Sequence, residues 1–260
     1  MRKSALAGRR RYHVAMRTDL PTPEAHARWH AQRLEALRRP DGWLTLVGLV
    51  WLDDGERRVG SAGNCDVVLP DGPEWLGTLH VSGQDCMWTP AGDAPRPLRS
   101  DAAGTPDVVA HGSASFFLIE RDGRLAARVR DTEAATRRKF AGIDCYPFDP
   151  AWCVAARWDG ALASFSVAGQ SIRLYPQNSA ADTLHFVIAD ATSGRETYGG
   201  GRFLFAPATN DGNLQLDFNR AINPPCAFTP FAVCPLPPAG NRMPVAVRAG
   251  EKIWRGVAES

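Results

Sequence analysis

The residues most able to do chemistry crowd into one segment, Asp190-Ala-Thr-Ser-Gly-Arg-Glu-Thr-Tyr-Gly-Gly-Gly-Arg-Phe-Leu204, which directly follows the apolar run Leu184 to Ala189. A strand end that opens into a polar, glycine-rich loop is a natural place for a binding site. Gly199, Gly200 and Gly201 permit positive φ or close backbone approach, while Glu196, Tyr198 and Arg202 supply charge and hydrogen bonds. A second block runs from Asp217 to Asn241 and contains six prolines, which forbid regular ladder hydrogen bonding over much of its length. It would hold Asp217, Asn219, Arg220, Asn223 and Cys226 with little conformational freedom.

These residue types suit a small anionic ligand. Arg202 and Arg220 would clamp a carboxylate or phosphate, because the planar guanidinium offers paired donors. Glu196 or Asp217 would act as general acid or base where burial shifts the carboxyl, and Tyr198 and Asn219 would orient the ligand. Asp190, Ser193 and Asn223 complete the expected substrate contacts. A covalent variant would use Cys226 as nucleophile. A thiolate needs a base or cation beside it, and His80, His111 and His185 are scattered along the chain.

Other chemistries find less support. The glycine-rich loop lacks the Gly-Lys-Ser/Thr ending of a phosphate-binding loop and no helical pattern follows, so no nucleotide cofactor is expected. Asp190, Glu196, Asp217 and Glu251 are oxygen donors without a recognisable ligand spacing, so no metal is expected. The bland alternative for the loop is a tight turn held by an internal ion pair between Glu196 and an arginine.

The elements that must position these blocks read as mostly β. Thr22 before Pro23 and Glu24 predicts the start of one N-terminal helix, which ends before Pro40. Its stripe of Trp29, Leu34 and Leu37 predicts packing on a sheet edge, with Arg28, Arg33, Arg38 and Arg39 on the other face. From Gly42 onward, short alternating runs separated by turn residues predict antiparallel β-sandwich or barrel-like units. Trp43 to Leu52, Val67 to Leu69 and Thr78 to Val81 read as strands. Asp122-Gly123 between Ala114–Glu120 and Arg124–Val129 marks a hairpin. The stretch Thr89 to Pro106 reads as a linker, which divides the chain into a basic N-terminus over 1–21, a helix plus sandwich over 22–106, and a second β unit over 107–260.

Composition bounds the partners. Thirty basic and 28 acidic side chains give a net charge of +2, so no global field drives binding to nucleic acid or a membrane surface. The basic first residues are followed by no apolar stretch of signal-peptide length, and the richest apolar run, Trp43 to Leu52, is too short to span a bilayer. A cytoplasmic protein with six reduced cysteines is the expectation. The composition sets no oligomeric state.

The strings SGRETYGGGRFL and DFNRAINPPCAFTPFAVCPLPPAGNRMPVAVRAGEK resemble the signature of DUF1684, a bacterial family known only as a domain of unknown function. GWLTLVGLVWLDDGERRVGS and FAGIDCYPFDP resemble it too, so the likeness runs over most of residues 25 to 252. It implies that the two polar blocks form one signature and implies no activity. Residues 55–69, GERRVGSAGNCDVVL, are more distantly similar to the opening of a forkhead-associated phosphothreonine-binding module. Ser61 stands where that module has its key arginine, and Leu76-Gly-Thr-Leu-His80 does not supply its Ser-x-x-His element.

Two functions therefore compete. One is a small-molecule site, catalytic or not, in the C-terminal unit. The other is a protein-binding scaffold with a degenerate forkhead-associated-like sandwich that accepts a peptide at a sheet edge. A deep polar pocket at Arg202 and Glu196 favours the first, and arginines spent in internal ion pairs favour the second.

Overall fold

The computed structural model describes residues 22–180 and 182–256. The basic segment 1–21 lies outside the described residues. Two units emerge: residues 38–139 form unit 1, and residues 22–37 join residues 140–256 to form unit 2. Unit 2 is thus discontinuous in sequence.

Unit 1 contains β1 (Leu46–Trp51), β2 (Gly55–Gly60), β3 (Val67–Val68), β4 (Gly77–Ser82), β5 (Asp85–Pro90), β6 (Arg96–Pro97), β7 (Val108–His111), β8 (Ala114–Arg121) and β9 (Arg124–Asp131). They form a four-stranded sheet of order β1-β9-β8-β7 and a five-stranded sheet of order β3-β2-β4-β5-β6. Both sheets feed one apolar core that includes Val59, Leu79, Trp88, Phe116, Leu118 and Val129. The β8–β9 hairpin turns at Asp122 and Gly123, with φ of 51° and 76°. Positive φ at both central residues matches the right-handed twist of the flanking strands.

Unit 2 contains the helix α1 (Pro23–Arg38, assigned to unit 2 through Leu37), β10 (Cys153–Trp158), β11 (Ala163–Val167), β12 (Gln170–Leu174), β13 (Asn178–Ala180), β14 (Thr183–Ile188), β15 (Arg202–Pro207) and β16 (Asn213–Asp217). The sheets are β12-β11-β10-β16 and β13-β14-β15, both antiparallel. Alternation puts Phe165, Leu174, Phe186, Leu204, Leu216 and Phe218 into a shared core. The proline-rich segment after β16 contributes Met243, Val247 and Ala249 to that core, yet meets other strands only through isolated bridges such as Phe203 with Ile222 and Ala189 with Arg242. The protein is mostly β with several antiparallel sheets and one N-terminal helix, and its sheets do not close into a barrel. Among the described residues no helix is long and apolar enough to cross a membrane.

Three expectations change. Thr89 to Pro106 is not a linker: Leu98 is buried in the unit 1 core, and Asp101 accepts the Glu120 amide at 2.9 Å and pairs with Arg121. The division therefore falls at 139/140 rather than at 106, because β9 pairs with β1 and draws residues 107–131 into unit 1. In α1, Thr22 Oγ1 accepts the Ala25 amide at 3.1 Å, as a cap should, but the packed face is wider than the expected stripe of Trp29, Leu34 and Leu37. Arg33 and His26 are buried beside Ala25 and Leu37, so a polar residue assigned to solvent points inward.

Candidate functional site

The loop after β14 folds around Asp190. Its Oδ1 accepts the Thr192 amide at 2.8 Å, the Thr192 hydroxyl at 2.6 Å and the Val247 amide at 3.2 Å. Ser193 Oγ accepts the Asp190 amide at 3.1 Å, and the loop closes with Thr192 Oγ1 2.9 Å from Thr197 Oγ1. Gly201 enters β15 with φ of 89°, where a Cβ would meet Ile188 O at 2.6 Å and Pro237 Cγ at 2.5 Å, so neither the conformation nor the space admits a side chain.

Arg202 is wholly enclosed by this arrangement. Its Nη2 donates to Asp190 Oδ2 at 2.9 Å and to Val247 O at 3.0 Å, and its Nη1 donates to the carbonyls of Ala249 and Glu251. The Arg202 and Asp190 side chains are 1% and 0% exposed. The fork thus ties the loop to segment 247–251 and keeps no terminal donor for a ligand.

A second buried pair stands beside it. Glu251 is 0% exposed and accepts Arg33 Nε at 2.9 Å and the Asn223 amide at 2.6 Å. Arg33 Nη2 also donates to Asn223 O at 3.1 Å, and Asn223 Nδ2 donates to Lys252 O at 2.8 Å. Helix α1 is thereby fastened to the C-terminal segment by charge. Asn223 Oδ1 is buried with no hydrogen-bond partner among the described residues.

Glu196 stands nearer the surface. Arg248 grips it with two hydrogen bonds, at 2.9 and 3.0 Å, and the Tyr146 hydroxyl donates to it at 2.9 Å. The Arg248 hydrogen bonds, then that of Tyr146, hold its carboxyl below the ordinary carboxylate range. A depressed folded value means that this contact contributes fully above the ordinary range and is lost as pH falls through the folded value. Arg248→Ala is expected to move the Glu196 titration, followed by carboxyl NMR shifts, back up toward the ordinary range. An unmoved titration would leave Tyr146 as the dominant partner.

Asp217, Asn219 and Arg220 form a turn at the end of β16. Asp217 Oδ1 accepts the Asn219 amide at 3.1 Å, and Asn219 locks onto Asp149 by donating Nδ2 to its carbonyl and accepting its amide, both at 3.0 Å. Arg220 Nε lies 3.3 Å from Asp217 Oδ2 and its guanidinium carbon 5.7 Å from the centre of the Trp29 ring. The side chain is only 14% exposed. Unlike Arg202, its two terminal amino groups make no hydrogen bond to the described residues and keep solvent contact.

Helix α1 supplies what sequence reasoning missed. His26, Trp29, His30 and Arg33 recur at helical spacing and share one face, which packs on the signature blocks. His26 lies 5.3 Å from Trp29, 5.7 Å from Phe148 and 6.4 Å from the parallel ring of His30. Its Nδ1 is buried and finds no hydrogen-bond partner among the described residues. Burial lowers the His26 pKa; Asp217 opposes this, and His30 and Arg220 add to it. The spacing of these four residues was the available signal, hidden because polar side chains at such positions usually mark a solvated face.

His30 Nε2 is 3.3 Å from Cys145 Sγ, but burial, aided by Glu251, pushes that thiol up to about 12, so it is no ready nucleophile. Cys226 finds a different setting: the Tyr198 hydroxyl donates to its carbonyl at 3.0 Å and its amide donates to Cys234 Sγ at 3.3 Å. Burial pushes Tyr198 up to about 12. Among the described residues no group of three or more His, Cys, Asp or Glu side chains is arranged to hold a metal ion. A shallow depression on the β10–β11–β16 face, lined by Arg157, Ser164, Asn213 and Gln215 among others, includes none of the signature residues.

Of the residues singled out from sequence, the structure brings Asp217, Asn219 and Arg220 together at one turn and puts Asp190, Ser193 and Arg202 in another network. Glu196 is held by Arg248 and Tyr146, Asn223 by Glu251, and Tyr198 meets Cys226.

Residues 159–252 match the model of a family described as protein of unknown function, DUF1684. The match starts after β10 and covers both polar blocks, a shorter stretch than the 25–252 expected. A solution NMR structure of an uncharacterized protein from Haloarcula marismortui is similar at 30% identity and a TM-score of 0.39, over 45% of this chain and 78% of that one. No curated protein matches. Over residues 159–252 the chain is similar to the DUF1684 proteins of unknown function.

Proposed function

We propose that unit 2 binds a small anionic molecule, a carboxylate or phosphate, and that Arg220 rather than Arg202 receives it. The observation that carries this reading is the contrast between the two guanidiniums: the terminal donors of Arg202 are spent on Asp190 and backbone carbonyls, while those of Arg220 make no bond to the described residues. Trp29 and Asp217 hold the Arg220 fork in place, so little side-chain freedom is lost on binding. His26 adds an imidazole with an unpartnered buried nitrogen in the same neighbourhood.

Binding of an anion favours the charged imidazolium, so affinity rises as pH falls below the ordinary histidine value of about 6.5, against the opposing charge of Arg220 and with help from Asp217. The test is a thermal-shift screen of small carboxylates and phosphates on the protein and on Arg220→Ala, with Arg220→Lys to probe the paired geometry. A stabilising anion is expected to lose its effect in Arg220→Ala and most of it in Arg220→Lys. An anion that stabilises the wild type and Arg220→Ala equally sinks the reading.

The scaffold reading draws on a specific observation as well, namely that Arg202 serves only internal contacts. In unit 1, Ser61 at the position of the forkhead-associated arginine donates to Gly72 O at 2.8 Å, so this residue also works within its own loop. A screen without a stabilising anion favours that reading, and sheet-edge peptide binding is then the property to assay.

A further inference from the structure

Cys226 and Cys234 lie eight residues apart in a stretch without strands, among Pro224, Pro225, Pro230 and Pro235. Fixed proline φ angles and successive turns, with Ala227 and Phe228 amides donating to Pro224 and Pro225 carbonyls at 3.0 and 2.9 Å, fold this stretch back on itself. The result brings the Cys234 sulfur against the Cys226 backbone. The Cys226 amide donates to Cys234 Sγ at 3.3 Å. Both residues are half-buried, so a small molecule can reach them.

The other half-buried thiols are differently placed. Cys145 faces His30 beside Glu251, and Cys153 donates to the Asp217 carboxylate at 3.4 Å. Burial pushes Cys145 up to about 12 and Cys153 and Cys86 up to about 11. The neighbouring Cys234 outweighs burial at Cys226 and, with a smaller contribution from the nearby Tyr198 hydroxyl, brings the thiol down to about 6.

We propose that Cys226 and Cys234 form a peroxide-oxidisable dithiol that closes an intramolecular disulfide. In the first step the Cys226 thiolate attacks one oxygen of a hydroperoxide. An S–O bond forms, the O–O bond breaks, and the leaving oxygen departs as water or alcohol after taking a proton, leaving Cys226 as a sulfenic acid. In the second step Cys234 attacks the Cys226 sulfur. An S–S bond forms, the S–O bond breaks, and the hydroxyl leaves as water with the Cys234 proton. The two thiols lose two electrons in all, and the peroxide gains them. Reaching an S–S bond of about 2.0 Å requires rotation of the Cys226 side chain toward a Cys234 sulfur that already lies 3.3 Å from the Cys226 amide nitrogen.

The test treats the full chain with one equivalent of hydrogen peroxide at pH 7 and reads the intact mass and the disulfide map. A loss of about 2 Da is expected, with the cross-link assigned to Cys226 and Cys234 and reversed by a dithiol reductant. Cys234→Ser is expected to trap the sulfenic acid on Cys226 as a dimedone adduct, and Cys226→Ser to give neither adduct nor cross-link. Iodoacetamide is expected to label Cys226 at least roughly tenfold faster than Cys86, Cys145 or Cys153. The proposal fails if all six thiols survive in the wild type, if the cross-link involves another cysteine, or if Cys226 passes to sulfinic acid without closing. The wild-type experiment stands alone should either serine variant fold poorly.

Discussion

Arg202→Ala is expected to lower the free energy of unfolding by about 3–5 kcal/mol, the cost of removing one partner from a buried ion pair. The substitution strands Asp190, whose side chain is 0% exposed, and takes donors away from the carbonyls of Val247, Ala249 and Glu251. Asp190→Ala is expected to cost a similar amount, since it strands Arg202 and frees Thr192 and the Val247 amide. The double variant should cost less than the two singles together by about 1–3 kcal/mol, because the second removal no longer leaves a lone charge. Urea unfolding of the three variants measures all of this. A midpoint for Arg202→Ala equal to the wild type would mean that its contacts are worth nothing, and would return Arg202 to the list of ligand groups. With the expected outcome, loss of ligand response in Arg202→Ala says nothing about a site, and Arg220 is the residue to vary.

Glu251→Ala carries the second large effect, again about 3–5 kcal/mol. The carboxylate is the shared acceptor of Arg33 and the Asn223 amide, so its removal leaves a buried guanidinium and a buried N–H unpaired. The loss should be local before it is global. Amide exchange in α1 is expected to rise more than in β14 and β15, because Arg33 is the charged tether between helix and C-terminal segment. Equal loosening of α1 and the sheet would show that Glu251 supports the whole unit rather than the helix attachment. Arg33→Met should reproduce the helix effect at a similar cost, since it leaves the Glu251 carboxylate buried without its counter-charge even though methionine keeps volume against Phe228, whose ring centre lies 5.7 Å from the guanidinium.

What the sequence disclosed follows from how local each signal is. The alternation of Leu214, Leu216 and Phe218, the Asp122-Gly123 turn and the Thr22 cap all depend on neighbours within a few residues, and each appears where expected. The stretch 89–106 misled because one buried leucine, Leu98, and one carboxylate, Asp101, hold it, and neither creates a periodic pattern. Arg33 reads as a solvent-facing residue because its acceptor lies 218 residues away in sequence. The same limit governs the candidate site. Arg202 and Arg220 are equivalent as letters, and only their surroundings separate a guanidinium sealed by carbonyls from one resting on Trp29 with its terminal amino groups open.

The discontinuity of unit 2 bears on how the chain matures during synthesis. Among the described residues unit 1 draws on one continuous stretch, 38–139, and can complete its sheets while the rest is still on the ribosome. Helix α1 emerges first of the described elements, and its charged acceptor Glu251 is synthesised 218 residues after Arg33. Until then α1 must wait with His26, Arg33 and Leu37 uncovered, tethered to an already folded neighbour. The long sequence separation makes that closure slow. A ribosome stalled upstream of residue 251 would therefore display a finished unit 1 flanked by an unfinished unit 2, a state in which chaperones have a natural binding window.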